Sequence, residues 1–201
     1  MKEKKVTDLG KDNIGGLLLK LALPAILAQI INVLYNMVDR MYIGHIPKIG
    51  SDALTGVGVT MPVIMAISAF AALVSMGGAP RASIMMGKND KSAAEKILGN
   101  CTLMLVIMAA ILTCVFFIWG EDILLVFGAS SKTIGYALEY MRIYSLGTIF
   151  VQLALGLNAF INAQGYAKMG MFTVAIGAIC NIILDPIFIF QWGLKERHWQ
   201  Q

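Results

Sequence analysis

The chain has 201 residues, of which 58% are apolar and 14% are charged, with a net charge of +4. Soluble domains are roughly 45–50% apolar and about 25% charged. The composition therefore excludes an ordinary soluble enzyme, a disordered chain and a disulfide-stapled secreted module. The remaining class is a membrane protein that crosses the bilayer several times. We expect no nucleic-acid partner, because the basic residues cluster between apolar runs without interleaved aromatics.

Five apolar runs follow a polar N-terminal segment at 1–16 and predict five transmembrane helices. In chain order, the predicted spans are 17–43, 53–80, 97–119, 133–164 and 169–190, followed by a polar tail at 191–201. Helices are expected because lipid offers the backbone no hydrogen-bond partners. The predicted fold class is an all-α, polytopic helical bundle. The longest polar connection, Gly87–Lys96, predicts a short helical linker with Asp90 or Ser92 as its N-cap.

The distribution of Lys and Arg predicts the orientation of the spans. Ten of these residues lie in the N-terminal segment and in every second loop, against six on the other side. Cytoplasmic loops carry the excess of Lys and Arg, so we expect a cytoplasmic N-terminus. The predicted location is the plasma membrane, with lipids as partners. The three cysteines lie in apolar runs without CxxC spacing, and no cofactor is expected.

Two carboxylates lie within the apolar runs, Asp39 in the first and Asp185 in the fifth. The plain interpretation places Asp39 at the interface and Asp185 in a loop, whereas an intramembrane acid indicates a functional site. Asn181 and Asp185 are four residues apart and share a helix face. Pro186 has no N–H, so the Ile182 carbonyl loses its helical partner. Such hard oxygen ligands suit a small cation, for which a proton on the carboxylate can substitute.

Further polar residues predict a wet cavity between the helices. Asn32, Tyr35 and Asn36 recur with Asp39 at helical spacing in the first span. In the fourth span Tyr140 and Asn158 are 18 residues apart, which is five helical turns, so they face the same way. For any single one of these residues, a hydrogen bond between helices remains the simpler interpretation.

Three stretches resemble transporters of the multidrug and toxic compound extrusion (MATE) family, and the resemblance covers the chain from Gly15 to about 190. They read LALPAILAQIINVLYNMVDRMYIGH, ALTGVGVTMPV and NIILDPIFIF. The resemblance implies a transporter rather than an enzyme, with no catalytic residues. It implies antiport of cationic, amphipathic drugs against Na⁺ or H⁺. The family's coupling-cation residues match Asp39, Asn181 and Asp185 here, and its cavity residues match Tyr140 and Asn158.

The sequence departs from the family pattern in its number of spans. Family members have twelve spans in two lobes, whereas this sequence predicts five spans of a six-span N-terminal lobe. We therefore expect a missing C-terminal lobe as the partner of the full-length protein. The tail, QWGLKERHWQQ, stands where a sixth span is expected to begin. Our hypothesis is that 191–201 is a frameshifted reading of a longer gene, which the downstream DNA tests.

Three alternative functions remain open at this point. A lipid-linked oligosaccharide flippase of the same superfamily is disfavoured, because no Lys or Arg lies deep within a span. An intramembrane aspartyl protease needs a Tyr-Asp and a Gly-x-Gly-Asp context, but Asp39 follows Val38 and Asp185 follows Leu184. The third alternative is a fragment that does not transport on its own, because alternating access rocks one half of a transporter against the other.

Overall fold

The computed structural model describes residues 14–46 and 49–186, which form five α-helices and no strand. The helices are α1 (Ile14–Gly44), α2 (Gly50–Gly87), α3 (Lys91–Val126), α4 (Ile134–Ala163) and α5 (Ala167–Pro186). All five are long and apolar enough to cross a membrane, by length and composition. The predicted all-α class with five spans is confirmed. The tail at 191–201, the last residues of the fifth span and most of the N-terminal segment lie outside the described residues.

The helices overlap the five predicted spans but several extend beyond them. α2 continues seven residues past the predicted end at 80, and α3 begins six residues before the predicted start at 97. A run of apolar residues measures only the part of a helix that matches the lipid, whereas hydrogen bonding along the backbone continues into the polar flanks. The stretch Gly87–Lys96 is therefore not a separate helical linker, because its second half is the first turn and a half of α3.

The turn between α2 and α3 is short and has a defined cap. Asn89 has a φ of 63°, in the left-handed region that reverses the chain after a helix. Asp90 is the N-cap of α3, and its Oδ1 accepts a hydrogen bond of 3.0 Å from the backbone N–H of Ala93. This bond satisfies one of the N–H groups that have no partner inside the helix. Of the two predicted caps, the structure uses Asp90.

α3 is interrupted near its C-terminal end. Trp119 has a φ of −110° and a ψ of 16°, which are not helical values, and the chain kinks there before the helix resumes. The predicted third span ends at the same residue. Beyond the kink the helix carries Glu121 and Asp122, both exposed. The last segment of α3, beyond the break at Trp119, thus carries these two acids together with Leu124, which is fully buried.

The chain divides into two compact units. The first contains α1, α5 and the start of α2 as far as Leu54, and α1 packs directly against α5. The second runs from Thr55 to Tyr166 and contains the rest of α2 together with α3 and α4. α3 packs along α4 in this second unit.

The second unit has two clusters of buried side chains, and each cluster draws on α2, α3 and α4. One cluster is centred on Ile67, Phe116 and Met141. The other is centred on Ala71, Leu105 and Phe160. Small residues allow the helix backbones to approach closely, as in other membrane bundles.

Two glycines show how close this approach is. A Cβ at Gly78 of α2 would meet Sγ of Cys101 on α3 and would lie 2.8 Å from Cζ of Phe160 on α4. A Cβ at Gly156 of α4 would collide with the side chain of the fully buried Leu105 on α3. At both positions the three-helix packing requires the absence of a side chain.

Large apolar side chains remain exposed on every helix. Leu18 is 64% exposed, Leu73 69%, Ile118 67%, Phe150 75% and Ile176 62%. A water-soluble monomer rarely exposes so much contiguous apolar surface. Such surfaces are the ordinary lipid-facing surfaces of a membrane bundle, which agrees with the length and composition of the helices.

Candidate functional site

The first candidate site is a polar face on α1. Asn32 and Asn36, one turn apart, are joined through the Asn36 amide. Nδ2 of Asn36 donates to the Asn32 backbone carbonyl at 2.7 Å and to Asn32 Oδ1 at 2.9 Å. These bonds satisfy the Asn36 amide donor within an otherwise apolar helix, and Oδ1 of Asn36 together with the second lone pair of Asn32 Oδ1 remains an acceptor for a ligand.

The two asparagines open onto a groove along α1, which has a volume of about 720 Å³. The groove is lined by further polar residues and by flexible thioethers, among them Gln29, Met37, Arg40, Met41 and His45. Methionine adapts its shape to varied apolar ligands. The groove therefore combines hydrogen-bonding groups, one permanent positive charge and a deformable apolar wall.

His45 is fixed at one end of this groove. Its Nδ1 donates a hydrogen bond of 2.7 Å to the backbone carbonyl of Met41, one of the carbonyls near the C-terminus of α1. A histidine side chain is favoured near the C-terminus of a helix, where the backbone carbonyls carry partial negative charge, and the Met41 carbonyl also accepts the backbone N–H of His45 at 3.2 Å. Because Nδ1 is used in this bond, Nε2 is the ring nitrogen left for a ligand.

The predicted polar stripe on α1 lies only partly within the groove. Asn32 and Asn36 line the groove, whereas Tyr35 and Asp39 lie further round the helix and are not among the residues that line it. Tyr35 and Asp39 are four residues apart, so they share a face, and both are half-buried. The carboxylate predicted to bind the cation is thus held beside the groove rather than within it.

α5 carries the other two predicted cation ligands, and it is the helix that packs against α1. Asn181 is exposed on α5, and the backbone of Asp185 lies one turn later, next to Pro186. Pro186 cannot donate to the Ile182 carbonyl, as the sequence predicted. The structure therefore places Asp39, Asn181 and Asp185 on two contacting helices of the same unit.

Tyr140 and Asn158, predicted to line the cavity, belong to α4 in the second unit. The ring of Tyr140 stacks on that of Tyr144, with centroids 6.1 Å apart and an interplanar angle of 23°. Oδ1 of Asn158 accepts a bond of 2.9 Å from Nδ2 of Asn162. Both predicted residues are half-buried and take part in pairs along their own helix.

The largest fully buried polar side chain of the second unit is Gln152 on α4. It is 0% exposed, and its Nε2 donates to the Ile67 backbone carbonyl of α2 at 3.1 Å. Its Oε1 has no hydrogen-bond partner within the described residues. Gln152 therefore links α2 to α4.

The donor chemistry limits what these sites can hold. In the part of the chain that the structure describes, no three His, Cys, Asp or Glu residues are grouped for a metal ion. Zinc and iron sites use such groups, whereas Na⁺ is held by carboxylate, amide and carbonyl oxygens. The residues on α1 and α5 offer oxygen atoms of those three kinds.

Several residues that line the α1 groove are not among those predicted from the sequence. Gln29 and Arg40 continue the helical spacing of Asn32 and Asn36, with steps of three and four residues. That spacing is readable in the sequence, but Arg40 also stands beside Asp39 near the end of the run, where an interfacial position is the simpler interpretation. His45 has no second histidine nearby for a metal, so it gave no signal of its own.

Comparison with known proteins identifies the family. The MatE family model matches residues 24–187. The chain is 25% identical over 190 residues to the multidrug export protein MepA of Staphylococcus haemolyticus, covering 94% of this chain and 42% of that protein. It is 26% identical over 184 residues to an FAD transporter of Shewanella oneidensis, covering 92% and 40%.

A solved structure supports the same assignment. It is an outward-facing multidrug resistance MATE family transporter of the MOP superfamily, matched with a TM-score of 0.80 and 25% identity over 88% of this chain and 39% of the other. The chain thus spans about two fifths of the length of the relatives it matches. Together with five apolar helices, these matches show that the chain belongs to the MATE family of transporters as a multi-pass membrane protein that corresponds to part of the N-terminal lobe.

Proposed function

We propose that the chain forms part of the N-terminal lobe of a secondary antiporter that exports cationic, amphipathic compounds in exchange for Na⁺ or H⁺. The observation that carries the proposal is the packing of α1 against α5. These two helices bear the intramembrane acids Asp39 and Asp185 and the amide of Asn181. Family membership and the name of the Staphylococcus relative, a multidrug export protein, support the class of activity.

The topology supports a shared location for the two acids. Successive membrane crossings alternate in direction, so the first and fifth helices run the same way. Asp39 lies five residues before the end of α1, and Asp185 lies 18 residues after the start of α5. With the N-terminus in the cytoplasm, both acids lie in the outer half of the membrane, where an ion from outside enters. The bias of Lys and Arg favours this orientation in the plasma membrane.

The exchange follows from the chemistry of a carboxylate in a low-dielectric site. A bare negative charge there is costly, so the carboxylate is occupied either by a cation or by a proton. Binding of Na⁺ or H⁺ neutralises the site and stabilises one packing of α1 against its neighbours. A ligand shifts such an equilibrium only by its differential affinity for the two states. The drug binds the protein in the other packing arrangement, and it is released outward when the ion binds.

The test of the transport activity uses a full-length version of the protein, in which the chain continues through a second lobe. Cells that express it are expected to accumulate less of a cationic dye such as ethidium than cells with an empty vector. Collapse of both the Na⁺ and the proton gradient is expected to restore accumulation. Equal accumulation with and without the transporter contradicts the proposal.

A flavin nucleotide is a second candidate substrate, favoured by one feature of the groove. Arg40 lies among the amides of Gln29, Asn32 and Asn36, and guanidinium with amide donors is suited to an anionic phosphate. One relative is named an FAD transporter. Export of FAD, measured in the medium beside export of ethidium, separates the two substrates. Loss of FAD export in Arg40→Gln with ethidium export intact supports the flavin, and ethidium export alone excludes it.

A further inference from the structure

A second cavity lies at one end of the three-helix unit, between α2, α3 and α4. It has a volume of about 310 Å³, at the lower end of the range of about 300–1,000 Å³ for ligand pockets. Its floor is apolar and made largely of alanine, with Phe160 at its base. The buried residues of this floor are Ala79, Ala82, Ala94 and Phe160. Because the alanine side chains are short, they leave a slot between the helices.

The rim of this slot carries one charge of each sign. Lys91 and Glu95 both line it, one turn apart on α3, and both are exposed. Gln164, just past the end of α4, adds an amide. None of these three side chains makes a hydrogen bond or ion pair within the described residues. The rim therefore offers a positive and a negative group about 5–6 Å apart at their Cβ atoms.

The slot lies at the level where a helix meets water. α2 ends at Gly87, α3 begins at Lys91 and α4 ends at Ala163, so all three helices terminate at this end of the unit. Oγ of Ser83 donates to the Ala163 carbonyl at 2.9 Å and fixes α2 to the end of α4 beside the slot. The apolar floor points into the depth of the bundle, while the charged rim faces the polar boundary.

We propose that this slot binds a phosphatidylethanolamine molecule. The phosphate is recognised by the ammonium of Lys91, and the primary ammonium of the head group is recognised by Glu95 and by the Gln164 carbonyl oxygen. An acyl chain enters the alanine-lined floor. The charge pattern favours a zwitterion over an anionic lipid, because Glu95 repels a head group that lacks a positive charge. Phosphatidylcholine has no N–H to donate to Glu95.

The experiment measures lipid binding to the purified 201-residue chain in detergent by native mass spectrometry. Phosphatidylethanolamine, phosphatidylglycerol and phosphatidylcholine with identical acyl chains are added singly at equal mole fraction. The wild type is expected to retain phosphatidylethanolamine about threefold to fivefold more than the other two lipids, as one exposed charge pair allows. Equal retention of all three lipids overturns the proposal.

Conservative variants assign the preference to the rim. Glu95→Gln is expected to remove the preference for phosphatidylethanolamine over phosphatidylglycerol, and Lys91→Gln is expected to weaken retention of all three phosphate-bearing lipids. The matched controls are Lys96→Gln on the same helix and Glu139→Gln on α4. Both residues are exposed and neither lines the slot, so the preference is expected to persist. Controls that lose it as fully as Glu95→Gln contradict the assignment.

A soluble analogue distinguishes a lipid from a free head group. Glycerophosphoethanolamine carries the same charges without acyl chains, and it is expected not to compete with the lipid. Competition at equal concentration would overturn the assignment of a lipid, because the alanine-lined floor would then contribute nothing to binding.

Discussion

Gly78→Ala is the substitution that tests the packing of the second unit most sharply. The new Cβ would meet Sγ of Cys101 and would lie 2.8 Å from Cζ of Phe160. Cys101 and Phe160 are 8% and 3% exposed, so neither has free space into which to move. Overpacking of this kind costs about 1–3 kcal/mol. Against that cost, alanine stabilises a helix by about 0.5–1 kcal/mol relative to glycine.

The neighbouring residue provides the control. A Cβ at Gly77 on the same helix has no atom within 4 Å. Gly77→Ala therefore gains the helix-propensity term of about 0.5–1 kcal/mol without the collision. Because the propensity term cancels between the two variants, their free energies of unfolding are expected to differ by about 1–3 kcal/mol. The assay is reversible unfolding of the purified chain in mixed micelles, followed by circular dichroism.

A double variant identifies the atom responsible. Cys101→Ala removes the sulfur, while the Cβ of Cys101 lies 3.6 Å from the position that a Cβ would take at Gly78 and is tolerated. The double variant Gly78→Ala/Cys101→Ala is expected to recover part of the stability that Gly78→Ala loses. The contact with Phe160 accounts for the part of the loss that remains. If Gly78→Ala is as stable as Gly77→Ala, or if the double variant is strictly additive, the close approach of α2 to α3 is refuted.

Three further predictions address single features. Asp90→Ala removes the cap of α3 and is expected to lower the free energy of unfolding by about 1 kcal/mol. Asp122→Ala is the control and is expected to change that free energy little; equal losses in the two variants contradict the capping role. Gln152→Met removes a buried acceptor without a partner, but it also removes the Nε2 bond to the Ile67 carbonyl; because these effects oppose each other, the free energy of unfolding is expected to change by less than about 1 kcal/mol, and a loss above about 2 kcal/mol would contradict the reasoning. Gly128→Ala places a side chain on a residue with a φ of 96° and is expected to lower the free energy of unfolding by about 1–2 kcal/mol. Gly135→Ala is the control and is not expected to show this loss; equal melting curves for the two variants contradict the prediction.

The number of helices could be predicted because long apolar runs in lipid form helices, which satisfy their backbone hydrogen bonds internally. Asp90 could be predicted as a cap because a short polar side chain before a helical run is a local signal. The ends of α2 and α3 could not be predicted from hydropathy, because helical hydrogen bonding continues past the apolar residues. The kink at Trp119 coincided with the end of a predicted span, although nothing in the sequence indicated non-helical dihedral angles there.

The candidate site was only partly predictable from local spacing. Asn32 and Asn36 were correctly given a shared face, but their relation to Asp39 depends on the exact rotation of α1 against the groove. The bond from Gln152 to the Ile67 carbonyl joins residues 85 apart in sequence. Such contacts depend on the distance between helices, which no periodicity within a single helix specifies.

The coupling role of the acids on α1 and α5 is the central claim, and gradient-driven efflux from proteoliposomes tests it most directly. The full-length version is reconstituted, and export of ethidium is followed after an imposed Na⁺ or pH gradient. We predict that Asp39→Asn and Asp185→Asn each abolish gradient-driven export while protein insertion is unchanged. Asp122→Asn, beyond the kink in α3, is expected to export as the wild type does. Unchanged export by either Asp39→Asn or Asp185→Asn would contradict the coupling role assigned to these helices.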